Sequence, residues 1–132
     1  MKSNDIESLA REVVDQGYRL HRDVGPGLLE TVYETVLADR LRSVGYYVET
    51  QKPVDINIDG KTFHNAFRAD LIINYVLLIE LKSVESLSSA HIKQTLTYIR
   101  LLNFPVGLLI NFGGATYKEG VKRVMNNSAN QL

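Results

Sequence analysis

The chain has 132 residues and no cysteine, and 15 Lys and Arg residues balance 15 Asp and Glu residues to a formal net charge of +0. That length suits one compact domain, while the composition excludes disulfides and thiolate metal sites. No apolar run reaches the ~20 residues that a membrane helix needs. Because a neutral chain does not coat nucleic acid by net charge, any contact with nucleic acid would depend on local patches or on metal ions.

The predicted order of elements begins with two amphipathic helices. Apolar residues at helical spacing begin at Ile6, and the Gly25-Pro26-Gly27 sequence ends this first helix because proline cannot continue it. Asn4 or Asp5 is expected to cap its start. A second apolar stripe predicts a helix over residues 28–44, with glycine at the next position as a stop signal.

Three strands, a helix and a further strand follow. The strands are expected over residues 46–58, 61–73 and 76–82, and an Asp-Gly turn joins the first two. Ser88 or Ser89 is expected to cap a helix over residues 90–102. A buried strand over 106–111 and a strand or short helix over 117–124 are expected after it. The sequence has no linker or repeat, so we expect one α/β domain over residues 1–124 and a polar, frayed tail over 125–132.

The candidate chemistry lies in the stretch FRADLIINYVLLIELKS. We interpret it as an antiparallel hairpin with a three-residue loop, 74–76, which places Asp70 directly opposite Glu80. Lys82 follows Glu80 by two residues, so the two side chains share a face of the strand. One face of the hairpin is therefore expected to be core, and the other face to gather two carboxylates and an ammonium group.

Two close carboxylates repel each other unless a positive charge lies between them. Mg²⁺ suits this arrangement because it binds a few carboxylate oxygens, keeps water molecules and binds substrate phosphate. A nearby lysine can position or deprotonate water, or stabilise charge on the phosphate. The alternative is a salt-bridged patch on a solvated strand. Glu80 argues against it, because it interrupts an apolar run in which an unpaired charge would be costly.

Two motifs resemble those of known nucleases. Asp70, a spacer of nine residues and the sequence Glu80-Leu81-Lys82 resemble the signature of the PD-(D/E)XK nuclease superfamily. The sequence GLLETVY, residues 27–33, resembles the motif that names the GxxExxY protein family within it.

Two further motifs agree with that resemblance. The sequence QTLTY, residues 94–98, resembles the Q-x-x-x-Y motif of RecB-like nucleases, and VGLLINFGG, residues 106–114, is similar to the strand that ends GxxExxY proteins. All four motifs occur in the expected order over residues 10–124. The resemblance implies a restriction-endonuclease-like core, with a mixed central β-sheet flanked by helices.

The resemblance also implies roles for six residues. The metal would be bound by Asp70, Glu80 and Glu30. Lys82 would be the catalytic lysine, and Gln94 and Tyr98 would face the site from the helix after the sheet. Two alternatives stay open: Glu30 and Tyr33 can be an ordinary exposed pair on one helix face, and Tyr98 can be a core residue.

The expected activity is that of a hydrolase, a metal-dependent nuclease in which water activated by Mg²⁺ or Mn²⁺ attacks a DNA phosphodiester. The alternative is a catalytically idle nucleic-acid-binding module, or a regulatory partner in a larger DNA-processing or defence system. The start of the chain lacks the apolar region of a signal peptide, and cysteine is absent, so we expect a cytoplasmic protein away from membranes. A protein partner or a homo-oligomer would supply the DNA affinity that the neutral charge does not.

Overall fold

A computed structural model describes residues 5–127. In chain order, its helices and strands are α1 (Ile6–Val24), α2 (Glu30–Ser43), β1 (Val48–Ile58), β2 (Lys61–Ile73), β3 (Leu77–Lys82), α3 (Ser89–Leu102), β4 (Val106–Asn111), a 3₁₀ helix (Lys118–Gly120) and β5 (Val121–Met125). No helix within the described residues is long and apolar enough to cross a membrane.

The five strands form one mixed sheet in the order β1-β2-β3-β4-β5. The pairs β1–β2, β2–β3 and β4–β5 are antiparallel, whereas β3 and β4 are parallel and are connected through α3. A parallel pair requires such a crossover because the chain must return to the same end of the sheet. The predicted mixed sheet with flanking helices is therefore confirmed.

Both faces of the sheet are buried at its centre, around β3, β4 and the end of β2. Helices α1 and α2 cover one face, where Leu71, Ile73 and Ile79 contribute to the larger core cluster. Helix α3 covers the other, where Ile72 and Leu78 pack with Ile99. The prediction that only one face of the hairpin is core is wrong, because the crossover helix buries the apolar residues of the second face as well.

Side-chain caps begin two of the helices, α1 and α3. Asp5 Oδ1 accepts hydrogen bonds from the backbone N–H groups of Glu7 and Ser8, at 3.1 and 3.2 Å, and so begins α1. Ser88 caps α3 in a reciprocal pair with His91. Each cap satisfies N–H groups that have no partner within the helix.

The end of the chain differs from its prediction. The segment expected to be a strand or a short helix contains both, and β5 continues to Met125. Asn126, expected to be part of a frayed tail, is buried, and its Nδ2 donates to the carbonyl oxygens of Ile99 and Phe104. Residues 128–132 of that predicted tail lie outside the described residues.

Candidate active site

The hairpin of β2 and β3 has the predicted three-residue loop, and its ladder stops short of the two carboxylates. Ile73 lies opposite Leu77, and the last backbone pair of the ladder is Leu71 with Ile79. Continuing this register places Asp70 opposite Glu80, as the sequence predicted. The two strands diverge at this point, and side chains take over the hydrogen bonding.

Each carboxylate accepts a hydrogen bond from the opposite strand. Asp70 N–H donates to Glu80 Oε2 at 2.9 Å, and Leu81 N–H donates to Asp70 Oδ2 at 2.8 Å. The carboxylates thus fill the gap between the diverging strands and satisfy backbone groups that the ladder leaves unpaired. This exchange fixes both side chains and leaves further oxygen lone pairs for another ligand.

The two carboxyl groups lie in a strongly desolvated environment. Glu80 is only 4% exposed. Burial, followed by the charge of Asp70, raises the pKa of Glu80 from 4.5 to about 8. Burial also raises the pKa of Asp70, although the Leu81 N–H group and the Lys82 charge oppose that rise. The pair therefore favours a bound cation, because a positive charge would offset both the desolvation cost of the carboxylates and their mutual repulsion.

Lys82 ends β3 beside these carboxylates. It follows Glu80 by two residues, so the two side chains share a face of the strand. Its positive charge lowers the pKa of both Asp70 and Glu80. Within residues 5–127, Lys82 forms no direct ion pair. The ammonium group therefore remains available for an anionic ligand such as phosphate.

A buried asparagine holds the chain that follows Lys82. Asn111, at the end of β4, accepts hydrogen bonds from Val84 N–H and Gly113 N–H, both at 3.0 Å, and donates to the Val84 carbonyl at 2.9 Å. Gly113 packs so closely on Val84 that a Cβ atom would overlap its backbone. The ends of β3 and β4 are thereby locked together at the edge of the site.

The first turn of α2 reaches the site from the other side. Glu30 is the first residue of α2 and is exposed, and its charge raises the pKa of Glu80. The tyrosine three residues later is not part of an exposed pair. Tyr33 is fully buried, stacks on Phe112 with ring centroids 4.5 Å apart, and donates a hydrogen bond to the Gly25 carbonyl at 2.7 Å.

Tyr33 thus holds the loop that positions Glu30. Its hydroxyl oxygen also accepts from Leu28 N–H at 3.1 Å, and the Leu28 carbonyl accepts from the Ser83 hydroxyl at 2.6 Å. These bonds connect the start of α2 to the residue that follows Lys82. In the G-x-x-E-x-x-Y sequence, the tyrosine is therefore structural, and a functional role for the glutamate stays a prediction.

Two further polar residues at the site were missed by the sequence analysis. Gln51 on β1 donates from Nε2 to Asp70 Oδ1 at 3.2 Å and to Glu34 Oε1 at 2.6 Å. Glu34 lies one turn after Glu30 on α2, and burial raises its pKa. The four-residue spacing of the two glutamates was the only signal in the sequence for Glu34, and nothing in the pattern of β1 singled out Gln51.

Helix α3 contributes an aromatic side chain. Tyr98 is partly buried and stacks on Phe67 of β2, with ring centroids 4.0 Å apart. Burial, and then the charges of Glu80 and Asp70, raise the pKa of its phenol. Tyr98 is therefore a packing residue, and its role at the site stays a prediction. Gln94 lies one turn earlier on α3 and is exposed.

The carboxylates suit a divalent cation, although they do not form a closed cage. No group of three or more His, Cys, Asp or Glu side chains within the described residues is arranged to hold a metal ion. Mg²⁺ needs only one or two carboxylates, because water and substrate phosphate supply its other ligands. The Asp70–Glu80 pair fits that requirement, and the role of Glu30 as a third ligand stays a prediction.

An open groove of about 640 Å³ runs beside the site, between the start of α2 and the ends of β3 and β4. Glu30 lies in its wall, and the chain that follows Lys82 forms the opposite side. Its lining residues are Gly27, Leu28, Leu29, Glu30, Thr31, Ser83, Val84, Glu85 and Gly113. The lining does not include Asp70, Glu80 or Lys82, so the groove adjoins the candidate site through Glu30 and the segment that follows Lys82.

Residues 7–124 match the family described as the PD-(D/E)XK nuclease superfamily. The chain belongs to the PD-(D/E)XK nuclease superfamily. The match covers nearly all of the described residues, so the expected superfamily is confirmed. PD-(D/E)XK nucleases act on nucleic acids and generally use divalent metal ions, which agrees with the carboxylate pair.

A solved structure supports the PD-(D/E)XK fold. The structure described as "Crystal structure of SSO0001" has a TM-score of 0.51 and 24% sequence identity, over 73% of this chain and 47% of that chain. The chain thus spans about half the length of that protein, and at this identity the similarity shows the fold alone. No curated protein matches the chain.

Proposed function

We propose that this chain is a metal-dependent nuclease of the GxxExxY kind that hydrolyses DNA phosphodiester bonds. One observation carries the proposal: Asp70 and Glu80 lie opposite each other where the β2–β3 ladder ends, each carboxylate accepts a hydrogen bond from the opposite strand, and Lys82 shares a strand face with Glu80. Strand β3 carries Glu80 and Lys82, and its register with β2 places Asp70 opposite Glu80.

The acidic residues and Lys82 would have different roles in the reaction. Asp70 and Glu80 would hold Mg²⁺ or Mn²⁺ through their remaining oxygen lone pairs, with Glu30 as a third carboxylate at the mouth. The bound ion would supply Lewis-acid polarisation of the phosphate and acidify a water molecule. The Lys82 ammonium would stabilise negative charge that develops on the phosphate during the attack of water.

The groups on α3 would meet the nucleic acid rather than the metal. Tyr98 and the exposed Gln94 are four residues apart on α3, so their side chains share a face of the helix. Both would orient the phosphate backbone.

We propose that residues 1–124 form the nuclease domain.

Location and partners are also part of the proposal. The absence of cysteine supports a cytoplasmic location. The net charge of +0 favours a protein partner or a homo-oligomer that adds DNA affinity.

The decisive experiment combines metal titration with cleavage. Calorimetric titration with Mn²⁺ should show binding that Asp70→Ala removes, and plasmid and single-stranded DNA should be cleaved in Mg²⁺ or Mn²⁺ and left intact in EDTA. A matched control is Asp39→Ala, because Asp39 is an exposed acidic residue on the last turns of α2. The control should bind and cleave like the wild type.

Two results would argue against this function. If Asp70→Ala binds Mn²⁺ as tightly as the wild type, the metal lies elsewhere. If the wild type binds DNA and Mn²⁺ but cleaves neither DNA nor RNA, the chain is an idle binding module instead.

A further inference from the structure

Gln51 has an unusual backbone conformation at the one position of β1 that faces Asp70. Its φ is +48°, a left-handed value that costs free energy in a residue other than glycine. The register is the same on both sides of it, with Thr50 opposite Leu71 and Lys52 opposite Ala69. The strained residue is therefore not an inserted bulge residue, and its direct partner across the sheet is Asp70.

The packing around Gln51 does not account for this strain. Gln51 is exposed, so burial of its side chain does not hold it in place. Its contacts are polar: Nε2 donates to Asp70 Oδ1 at 3.2 Å and to Glu34 Oε1 at 2.6 Å. A strained residue held by two acidic side chains at a site is typical of a functional constraint.

An amide is chemically suited to this position. Both hydrogens of one nitrogen point to carboxylates, so the amide spans from α2 to β2 without adding charge. A lysine or arginine at the same place would neutralise Asp70 and compete with a metal cation. The neutral amide instead orients Asp70 Oδ1 and leaves its charge available for a metal.

We propose that Gln51, held by Glu34, is a positioning residue that fixes Asp70 for metal binding. The proposal rests on the proposed function, because it assigns Asp70 to a divalent metal. Asp70 is held from both sides: Leu81 N–H fixes Oδ2 at 2.8 Å, and Gln51 fixes Oδ1. Partners of this kind around a ligand typically change metal affinity or activity by ~10- to 100-fold when they are removed.

The substitution Gln51→Gly separates this role from a structural one. Glycine accepts the left-handed backbone without strain, so the metal-free melting temperature should stay equal or rise. The same variant loses the amide, so its Mn²⁺ affinity in calorimetry should fall ~10- to 100-fold. A merely structural residue would show no change in affinity.

Asn65→Gly is the matched control. Asn65 also has a positive φ, of +54°, and lies in β2 away from the carboxylate pair. Its backbone N–H donates to Asp55 at 2.8 Å, a bond that glycine retains. Asn65→Gly should resemble Gln51→Gly in melting temperature and the wild type in Mn²⁺ affinity.

A double-mutant cycle tests the part played by Glu34. If Glu34 acts through Gln51, Glu34→Ala should weaken Mn²⁺ binding in the wild-type background and have no further effect in Gln51→Gly. An equal loss in both backgrounds would make Glu34 an independent metal ligand and would overturn the linked arrangement.

The outcomes separate this inference from the proposed nuclease activity. If Gln51→Gly binds Mn²⁺ like the wild type, the positioning role is wrong, whether or not the protein cleaves DNA. If the wild type binds Mn²⁺ without cleavage, the nuclease proposal fails, while a loss of affinity in Gln51→Gly still supports the positioning role. A wild type that binds no Mn²⁺ would overturn both.

Discussion

Replacing Glu80 by glutamine should stabilise the metal-free protein in a pH-dependent way. The folded state raises the pKa of Glu80 from 4.5 to about 8, mainly because the carboxyl is buried. Between these values the folded chain holds a proton that the unfolded chain releases, so the wild-type free energy of unfolding falls as pH rises. Glutamine has no proton to lose, and its Oε1 can still accept the hydrogen bond from Asp70 N–H.

The size of the effect follows from the same shift. At pH 9, the full linkage contribution is roughly 5 kcal/mol. Water that enters between the diverging strands would reduce it, so we expect Glu80→Gln to gain ~2–5 kcal/mol. At pH 5, where the folded wild-type carboxyl is protonated, the gain should be less than about 1 kcal/mol.

The assay is urea unfolding of both proteins in EDTA at pH 5, 7 and 9. Glu119→Gln serves as the control for the substitution itself, because Glu119 is an exposed residue of the 3₁₀ helix. Equal differences between wild type and Glu80→Gln at pH 5 and pH 9 would show that Glu80 does not titrate as the buried geometry requires. Added Mn²⁺ at pH 8 should raise the stability of the wild type and leave the variant nearly unchanged.

Three further substitutions test the neighbouring residues. Lys82→Ala should retain DNA binding, measured by anisotropy in Ca²⁺, within a few-fold and lose nearly all cleavage in Mg²⁺, because its ammonium acts mainly in the transition state; cleavage at the wild-type rate would place the active site elsewhere. Glu30→Gln should weaken Mn²⁺ binding in calorimetry without lowering the melting temperature, and unchanged binding would leave Glu30 as a mere neighbour of the site. Tyr33→Phe keeps the stack on Phe112 but loses the hydroxyl bonds to Gly25 and Leu28, so the free energy of unfolding in urea should fall by ~1–3 kcal/mol. An unchanged stability would mean that the loop before α2 is held by other contacts.

The sequence determined the order of elements and the pairing of the two carboxylates. Periodicity, glycine and proline are local signals, and a three-residue loop fixes which residues face each other across a hairpin. That is why Asp70 could be placed opposite Glu80 before the structure was known, and why the ladder from Leu71 to Ile73 agrees with that register.

Only the tertiary structure decided how that pair is surrounded. The backbone ladder between β2 and β3 ends at the pair Leu71–Ile79, and no pattern within either strand encodes where it ends. The bridge from Gln51 to Glu34 joins β1 to α2, so it depends on the packing of elements that are distant in sequence. The sequence by itself thus specified which charges meet, whereas their burial, and with it the raised pKa of Glu80, came from the layers packed around them.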